Sequence, residues 1–270
     1  MIITHKIAWD KCLSNQLWPA IEKGWKDEGK DVHFFWGLAG KNIQGIRKCE
    51  ENGDEWWYVD VGYLTQQITR YPEPIIHDYD KTYFRICKGN IHTIRGAVGD
   101  GRRLSKLESQ GIDVEFKGWN TGETKNILLS PSSPTVTYQI NGMSQEQWID
   151  TVIAEIKKTG INKHIVIRNK PRPGNEWWET DIKDDLKDCH CLVTNMSLAA
   201  IDAVMNMVPA ITHQRNVASF ITSRDLKFIE KPMRPGRKTM NEWLKMLVDN
   251  QFTIKEIEHG LAYEILRGQP

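Results

Sequence analysis

Two rhythms of apolar residues alternate along this chain. Short apolar runs of strand length are separated by stretches in which apolar side chains return every third or fourth residue. In the first half, Pro19–Gly29 is predicted as a helix, with Ile21 and Trp25 one turn apart. Asp31–Trp36 reads as a buried strand that ends in the turn Gly37-Leu38-Ala39-Gly40, and Ile43–Glu50 as a second helix. Trp56–Val61 and Tyr83–Cys87 are strands; Val114–Phe116 and Ile127–Leu129 are shorter ones. The last of these stops at Ser130-Pro131-Ser132-Ser133-Pro134, the clearest break in the pattern, which sets an expected boundary between domains 1–130 and 131–270.

Beyond the break the pattern is more regular. Ser144–Lys158 places Trp148, Val152 and Ile156 on one helical face, with Ser144 and Gln147 as a capping box. His164–Arg168, Cys189–Val193 and Ala210–Thr212 are strands, separated by helices Asp181–Lys187 and Leu198–Met205. Asn241–Val248 and Thr253–Leu266 are the last helices, the second opened by Thr253 and Glu256 as another capping box. Strands alternating with helices predict an α/β fold with parallel strands covered on both faces.

Composition narrows the partners. The chain has 270 residues, 36 Lys+Arg against 35 Asp+Glu, and a net charge of +1, so no whole-molecule field draws it to nucleic acid or an anionic membrane. No stretch has the length and apolarity of a membrane span, and the opening residues lack the apolar core of a signal peptide; the expectation is a soluble, cytoplasmic protein with no membrane partner. The five cysteines are odd in number and irregularly spaced, which fits a reducing compartment. Of the eleven Trp, the pair Trp56-Trp57 is either core or the wall of a site that binds a polar ring.

The chemistry gathers in the second half. The strand ending at Thr194 is followed by a polar turn, then by a helix starting near Ser197. In an open parallel sheet, ligands sit beyond the carboxyl ends of the strands, where the next helix offers free N–H groups and the positive end of its dipole. Asn195 and Ser197 can cap that helix or meet a phosphate, and Asp202 can accept hydrogen bonds from ribose hydroxyls. One strand upstream, Arg168, Lys170 and Arg172 follow a strand end and can neutralise a diphosphate. Cys189-His190-Cys191 has no partner pair for zinc, and alternation in a strand turns His190 away from the two thiols. Asp78-Tyr79-Asp80 lies beside the Pro-rich run Tyr71-Pro72-Glu73-Pro74 and not after a strong strand, which argues against a metal-binding acidic motif.

The run Leu192-Val193-Thr194-Asn195-Met196-Ser197, with Ile201-Asp202-Ala203 and Val208-Pro209-Ala210-Ile211, resembles the donor half of GT-B-fold glycosyltransferases. Arg168-Asn169-Lys170-Pro171 is similar to their donor-phosphate loop. Phe35-Trp36-Gly37-Leu38-Ala39-Gly40, Val59-Asp60-Val61-Gly62-Tyr63, Tyr83-Phe84-Arg85-Ile86 and the C-terminal run from Arg234 to Ala262 resemble small glycosyltransferases of tailed bacteriophages. The chain departs from the GT-B pattern at Asp202, where Glu is usual, and at Met207, where Gly is frequent.

The resemblance implies two Rossmann-like domains facing a cleft, with a C-terminal helix packing back toward the N-terminal domain. It implies a metal-independent, cofactor-free enzyme that uses a nucleotide sugar, a uridine diphosphate sugar in first place. Asp60, then His92, are the expected proton acceptors; Arg85, Gly37 and Gly40 are expected to contact acceptor or phosphate. The acceptor implied by the phage likeness is a hydroxymethylated pyrimidine in double-stranded DNA, in the host cytoplasm, with Arg102-Arg103, Lys106, Arg234 and Arg237-Lys238 tracking phosphates. The alternatives are a glycan or small-molecule acceptor, or a non-catalytic nucleotide- or sugar-binding relic of the fold.

Overall fold

The computed structural model describes residues 1–5, 11–26, 28–64, 68–69, 75–76, 78–93, 101–172 and 174–268. The run Tyr71-Pro72-Glu73-Pro74 lies outside the described residues. In chain order the elements are β1 (Ile2–His5), α1 (Lys11–Gly24), β2 (Val32–Trp36), α2 (Asn42–Asn52), β3 (Glu55–Val61), the two-residue strands β4 (Ile68–Thr69) and β5 (Ile75–Ile76), β6 (Phe84–Lys88), α3 (Arg102–Ser109), β7 (Asn126–Leu129), α4 (Pro134–Asn141), α5 (Gln145–Lys158), β8 (His164–Ile167), α6 (Ile182–Leu186), β9 (Cys189–Val193), α7 (Ala199–Met205), β10 (Ala210–Ile211), α8 (Arg237–Asp249), β11 (Gln251–Phe252), α9 (Ile254–Glu258) and α10 (Leu261–Arg267). They form two compact α/β units, one of Met1–Val114 with Leu244–Pro270, the other of Glu115–Trp243.

The first unit carries a five-stranded sheet in the order β1-β2-β3-β6-β11. β1, β2 and β3 are parallel, β6 runs antiparallel to β3, and β11 antiparallel to β6. Its core joins Trp18 and Ile21 of α1, and Trp25 just beyond it, to Phe34, Trp57 and Phe84 of the sheet and to Phe252, Ala262 and Leu266 from the far end of the chain. Trp25 meets Phe34 and Trp57 edge-on, each at 4.9 Å. Trp56 and Trp57 are both buried, so the pair is core and not a binding wall. The C-terminal helices do pack back on this unit. Gly24 allows it: a Cβ there would lie 1.7 Å from the Ile257 carbonyl oxygen, so α1 and α9 approach backbone to backbone.

The second unit carries four parallel strands in the order β10-β9-β7-β8. Ile127, Leu129, Cys191 and Val193 pack against Trp148, Val152 and Ile156 of α5, the face that the helical spacing predicts. Both capping boxes are present, Ser144 with Gln147 and Thr253 with Glu256.

Four differences from the sequence reading have physical causes. The Ser130–Pro134 cluster is no boundary: β7 pairs with β8 and β9, Ser130 and Ser132 are buried, and Pro134 opens α4 at its first turn, where its missing N–H costs nothing. The units divide instead after Val114 and after Trp243. Val114 and Phe116 are buried on either side of exposed Glu115, but the segment finds no strand partner and stays irregular. The expected helix Thr253–Leu266 is two helices, broken where Gly260 takes φ +84°. The first helix ends at Gly24, five residues short of Gly29, and holds Pro19 inside it.

Candidate functional site

Three residues expected to do chemistry meet in the first unit. Asp60 lies near the carboxyl end of β3 and pairs directly with Arg85 of β6 in the antiparallel register. Its Oδ2 accepts from the Tyr58 hydroxyl at 2.7 Å and from Arg85 Nη2 at 3.1 Å, and its Oδ1 from the Val61 N–H at 2.8 Å. Arg85 is buried and also donates to the Val61 and Ile91 carbonyls, with Tyr58 and Tyr63 rings against its guanidinium at 5.3 and 5.6 Å. Burial works against that cation, but Asp60 and the tyrosines outweigh it and raise its pKa further. His92 is buried edge-on to Tyr63. Burial, reinforced by Arg85, holds its imidazole well below the usual range, so the ring is kept in its neutral form. Tyr63 donates to or accepts from Cys87 Sγ at 3.3 Å, and its oxygen accepts the Thr93 N–H at 2.9 Å. Burial pushes the Cys87 thiol up to about 11.

The Gly37–Gly40 turn stands at the same strand end. Gly37 and Gly40 both have left-handed φ, +63° and +60°, the conformation a tight strand-to-helix turn needs. The Gly37 N–H bonds the Val59 carbonyl at 3.0 Å, and buried Asn42 ties the turn down by donating to the Trp36 carbonyl at 2.8 Å. Thus Gly37, Asp60 and Arg85 come together at the carboxyl ends of the parallel strands β2 and β3.

In the second unit the strand order identifies a second crevice. From β7 the chain passes to β8 on one side, then returns past β7 to β9 on the other. The loops leaving β7 and β9 therefore diverge, which is the topological switch point where open α/β sheets bind ligands. The loops are Ser130–Ser133 and Thr194–Ser197. Asn195 is the buried link between them: its Oδ1 accepts from the Ser132 and Met196 N–H groups at 3.0 and 2.9 Å, and its Nδ2 donates to Asn141 Oδ1 at 3.0 Å. Ser132 Oγ accepts the Met196 N–H at 2.9 Å. Asn216, from the loop after β10, donates to the carbonyls of Asn195 and Ser197 at 3.0 and 3.2 Å. Ser197 Oγ accepts the Ala199 N–H at 3.2 Å, just ahead of α7, whose N-cap position is Leu198 and carries no side-chain cap. Ser133 stands at the start of α4 and makes no capping bond with its side chain.

The donor residues expected from sequence divide in the structure. Arg168 is not placed to meet a diphosphate. It is buried, paired with Asp185, donates to the Thr180 carbonyl at 2.9 Å and lies over the Trp177 ring. Its partner Asp185 is far along the chain, so the spacing gave no warning. Asn195 likewise spends its amide on the loop network described above. Lys170 and Arg172 are exposed. Asp202 keeps its side chain open to solvent while sitting among packed neighbours. That desolvation, with the negative charge of Asp181, pushes its carboxyl up to about 6 against the pull of Lys183 and Arg168. A carboxylate so placed gains from added hydrogen-bond donors. Met207 takes φ +66°, alone among the described non-glycine residues in that region, which explains why a glycine suits this position in the GT-B pattern.

Residues that the pattern missed are Ser132 and Ser133, hidden in what looked like a linker, and Asn216 and His213 beyond β10. His213 sits beside the Asn195 carbonyl through its N–H, at 3.2 Å. Other motifs resolve as structure. Cys189 and Cys191 are buried thiols and His190 turns away to the Ile229 carbonyl at 2.8 Å. Asp78 folds over its own turn by accepting from the Asp80 N–H at 2.9 Å. Arg103 and Lys106 both pair with Glu256, at 3.1 and 2.8 Å, and so anchor the C-terminal segment. Among the described residues no helix is long and apolar enough to cross a membrane.

No family model and no curated protein matches the sequence. Solved structures do. The chain is similar to KpsC of Thermosulfurimonas dismutans, described as a beta Kdo 2,4 transferase, at 13% identity and TM-score 0.53 over 91% of this chain and 89% of that one. It is also similar to the same organism's KpsC described as a beta Kdo 2,7 transferase, at 10% identity and TM-score 0.53 over 97% of this chain and 98% of that one. At such identities the likeness is one of fold alone: this chain shares the α/β fold of those two chains along most of their length.

Proposed function

We propose that this protein transfers a sugar from a nucleotide-sugar donor to a hydroxyl group. The observation that carries the reading is the fold likeness, nearly end to end, to two chains described as sugar transferases. The polar groups at the strand ends of each unit support it. In this reading the second unit holds the donor. Its ribose hydroxyls bond Asp202, and its diphosphate meets Ser133, Ser197 and the starts of α4 and α7, with Lys170 and Arg172 supplying positive charge. Arg168 and Asn195 act beneath them as positioning residues. The bond from the sugar's anomeric carbon to the diphosphate breaks, the acceptor oxygen bonds that carbon, and the acceptor proton passes to Asp60, with neutral His92 the second candidate. Arg85 holds Asp60 in position through their ion pair at 3.1 Å. No metal ion is assigned to the leaving group, whose charge the protein's own donors neutralise.

For the acceptor, the neighbours' descriptions favour a saccharide hydroxyl. A hydroxymethylated pyrimidine in phage DNA, with a uridine diphosphate sugar as donor, rests on the sequence resemblance; Arg103 and Lys106, two cations expected to track phosphates, are bonded to Glu256. A thermal-shift screen of nucleotides and nucleotide sugars, followed by transfer assays on saccharide and modified-DNA acceptors, tests the proposal. The expected result is a stabilising nucleotide sugar whose effect shrinks in Ser197→Ala, and turnover lost in Asp60→Ala. Binding without turnover or hydrolysis on any acceptor would favour the relic.

A further inference from the structure

A second cluster lies at the opposite end of the first unit's sheet. His33 of β2, Cys49 of α2 and Asp54, just before β3, each offer one ligand atom, and the three atoms lie within 4.8 Å of one another. Two local motifs hold them there. α2 packs over the face of β2 that carries His33 and Phe35, since a Cβ on Gly45 would lie 2.6 Å from the Phe35 ring. The helix runs back along the strand, so one turn beyond Gly45 it brings Cys49 over His33. α2 then ends with Gly53 at φ +74°, and the Asp54 N–H returns to the Cys49 carbonyl at 2.8 Å. This left-handed cap folds Asp54 back beside the thiol.

The fourth residue is His5. Its Nε2 lies 3.0 Å from His33 Nδ1, and its ring stacks on Phe35 with centroids 4.1 Å apart. With His33 Nδ1–H donating to His5, His33 Nε2 is the nitrogen left to bind a cation. A histidine whose other ring nitrogen is fixed by a neighbour is the usual arrangement at protein metal sites. Asp54 is oriented in the same way, by the Asn52 side-chain amide at 3.2 Å.

We infer that His33, Cys49 and Asp54 form a binding site for a borderline-soft divalent metal of the zinc class, with His5 as the residue that orients His33. One thiolate, one imidazole and one carboxylate suit zinc or cobalt and not calcium or magnesium. A tetrahedral zinc site has ligand atoms roughly 3.3–3.8 Å apart, so contraction of about 1 Å completes it, with water as the fourth ligand. Binding releases the Cys49 thiol proton to solvent as the sulfur–metal bond forms. The site spans β2, α2 and the start of β3, and Asp60 lies at the other end of that strand, about 17 Å away at ~3.3 Å per residue. Its role is therefore to clamp the β2–α2–β3 crossover, and the inference does not depend on the sugar-transfer reading.

The test uses the full chain without an affinity tag, stripped of metal with a chelator and then titrated with cobalt ion alone. The expected result is one equivalent bound, with a near-ultraviolet thiolate-to-cobalt charge-transfer band and a raised thermal midpoint. Cys49→Ser should abolish the band. His5→Phe should keep it but weaken binding about tenfold to a hundredfold. Asp54→Asn, which keeps the shape of the turn, should weaken binding by at least about tenfold and decides the matter should Cys49→Ser not fold. No band in the folded parent at one equivalent, a band undiminished in Cys49→Ser, or unchanged affinity in Asp54→Asn would each overturn the inference.

Discussion

Glu55→Gln is expected to loosen the join between the start of β3 and the last helix. The Glu55 carboxylate is 10% exposed and receives the Trp57 indole N–H at 2.7 Å, Lys30 at 3.1 Å and Lys88 at 3.3 Å. Arg267 of α10 meets it twice, through Nη1 at 3.0 Å in hydrogen-bonding alignment and through Nη2 at 2.7 Å. The Nη2 approach lacks that alignment, so it counts as charge attraction only. Burial alone would raise the Glu55 pKa; Arg267, Trp57 and Lys30 outweigh it and bring the value from 4.5 to about 2. At ~1.36 kcal/mol per pKa unit, that shift corresponds to about 3.4 kcal/mol of stability. Lys30 and Lys88 are half-exposed and screened, which reduces the figure to about 2–3 kcal/mol. The folded pKa is depressed, so the contribution is complete above pH 4.5 and is lost as pH falls toward 2. Urea unfolding at pH 7 should show the full gap between parent and Glu55→Gln, and a series down to pH 2.5 should show it closing. Hydrogen exchange should place the early loss of protection in α10. A gap that is absent at pH 7, or that stays constant down to pH 2.5, would refute the reasoning.

Four further outcomes are expected. Gly24→Ala drives a methyl group into the Ile257 carbonyl and should cost about 3 kcal/mol or more, read as a lower urea midpoint. Asp202 has a raised folded pKa, so its ionisation costs stability as pH rises from 3.8 to about 6; Asp202→Asn should be the more stable protein at pH 7.5, by less than about 1 kcal/mol because the side chain is exposed, and equal to the parent below pH 4. The same substitution should weaken nucleotide-sugar binding about tenfold in calorimetry. Asp60→Asn should lower kcat for sugar transfer by about 10²–10⁴ and leave KM nearly unchanged, whereas a matching rise in KM would mean that Asp60 holds substrate and does not take its proton.

The α/β class and the second sheet were legible because β7, β9 and α5 bury continuous or regularly spaced apolar residues, and because both capping boxes have a local signature. α3 was not: Arg102–Ser109 offers only Leu104 and Leu107 to the core, and its cations Arg103 and Lys106 pair with Glu256, about 150 residues away in sequence. β1 and β11 are too short to show alternation; pairing with β2 and β6 makes them strands. Asp60 and Arg85 were singled out separately, and the β3–β6 register that pairs them is a tertiary fact, as is the Tyr63 ring that lies against both Arg85 and His92. Arg168 shows the reverse case, since its cation looked available until Asp185 was placed beside it. The Ser130–Pro134 cluster carries the turn chemistry of a linker, and only pairing of β7 on both edges reveals it as the mouth of the switch point.

The first unit is built from two separated stretches of chain, with the whole second unit between them. During synthesis its sheet stands one strand short, and α1 lacks its cover of α9 and α10, until residues 251–267 emerge. All the strands of the second unit are available long before that. Domains fold as units when their sequence is complete, so the later unit in the chain is the earlier one able to finish. The aromatic face around Trp25 and Trp57 is thus exposed for most of translation, and this is the surface on which a nascent chain of this protein would need a chaperone.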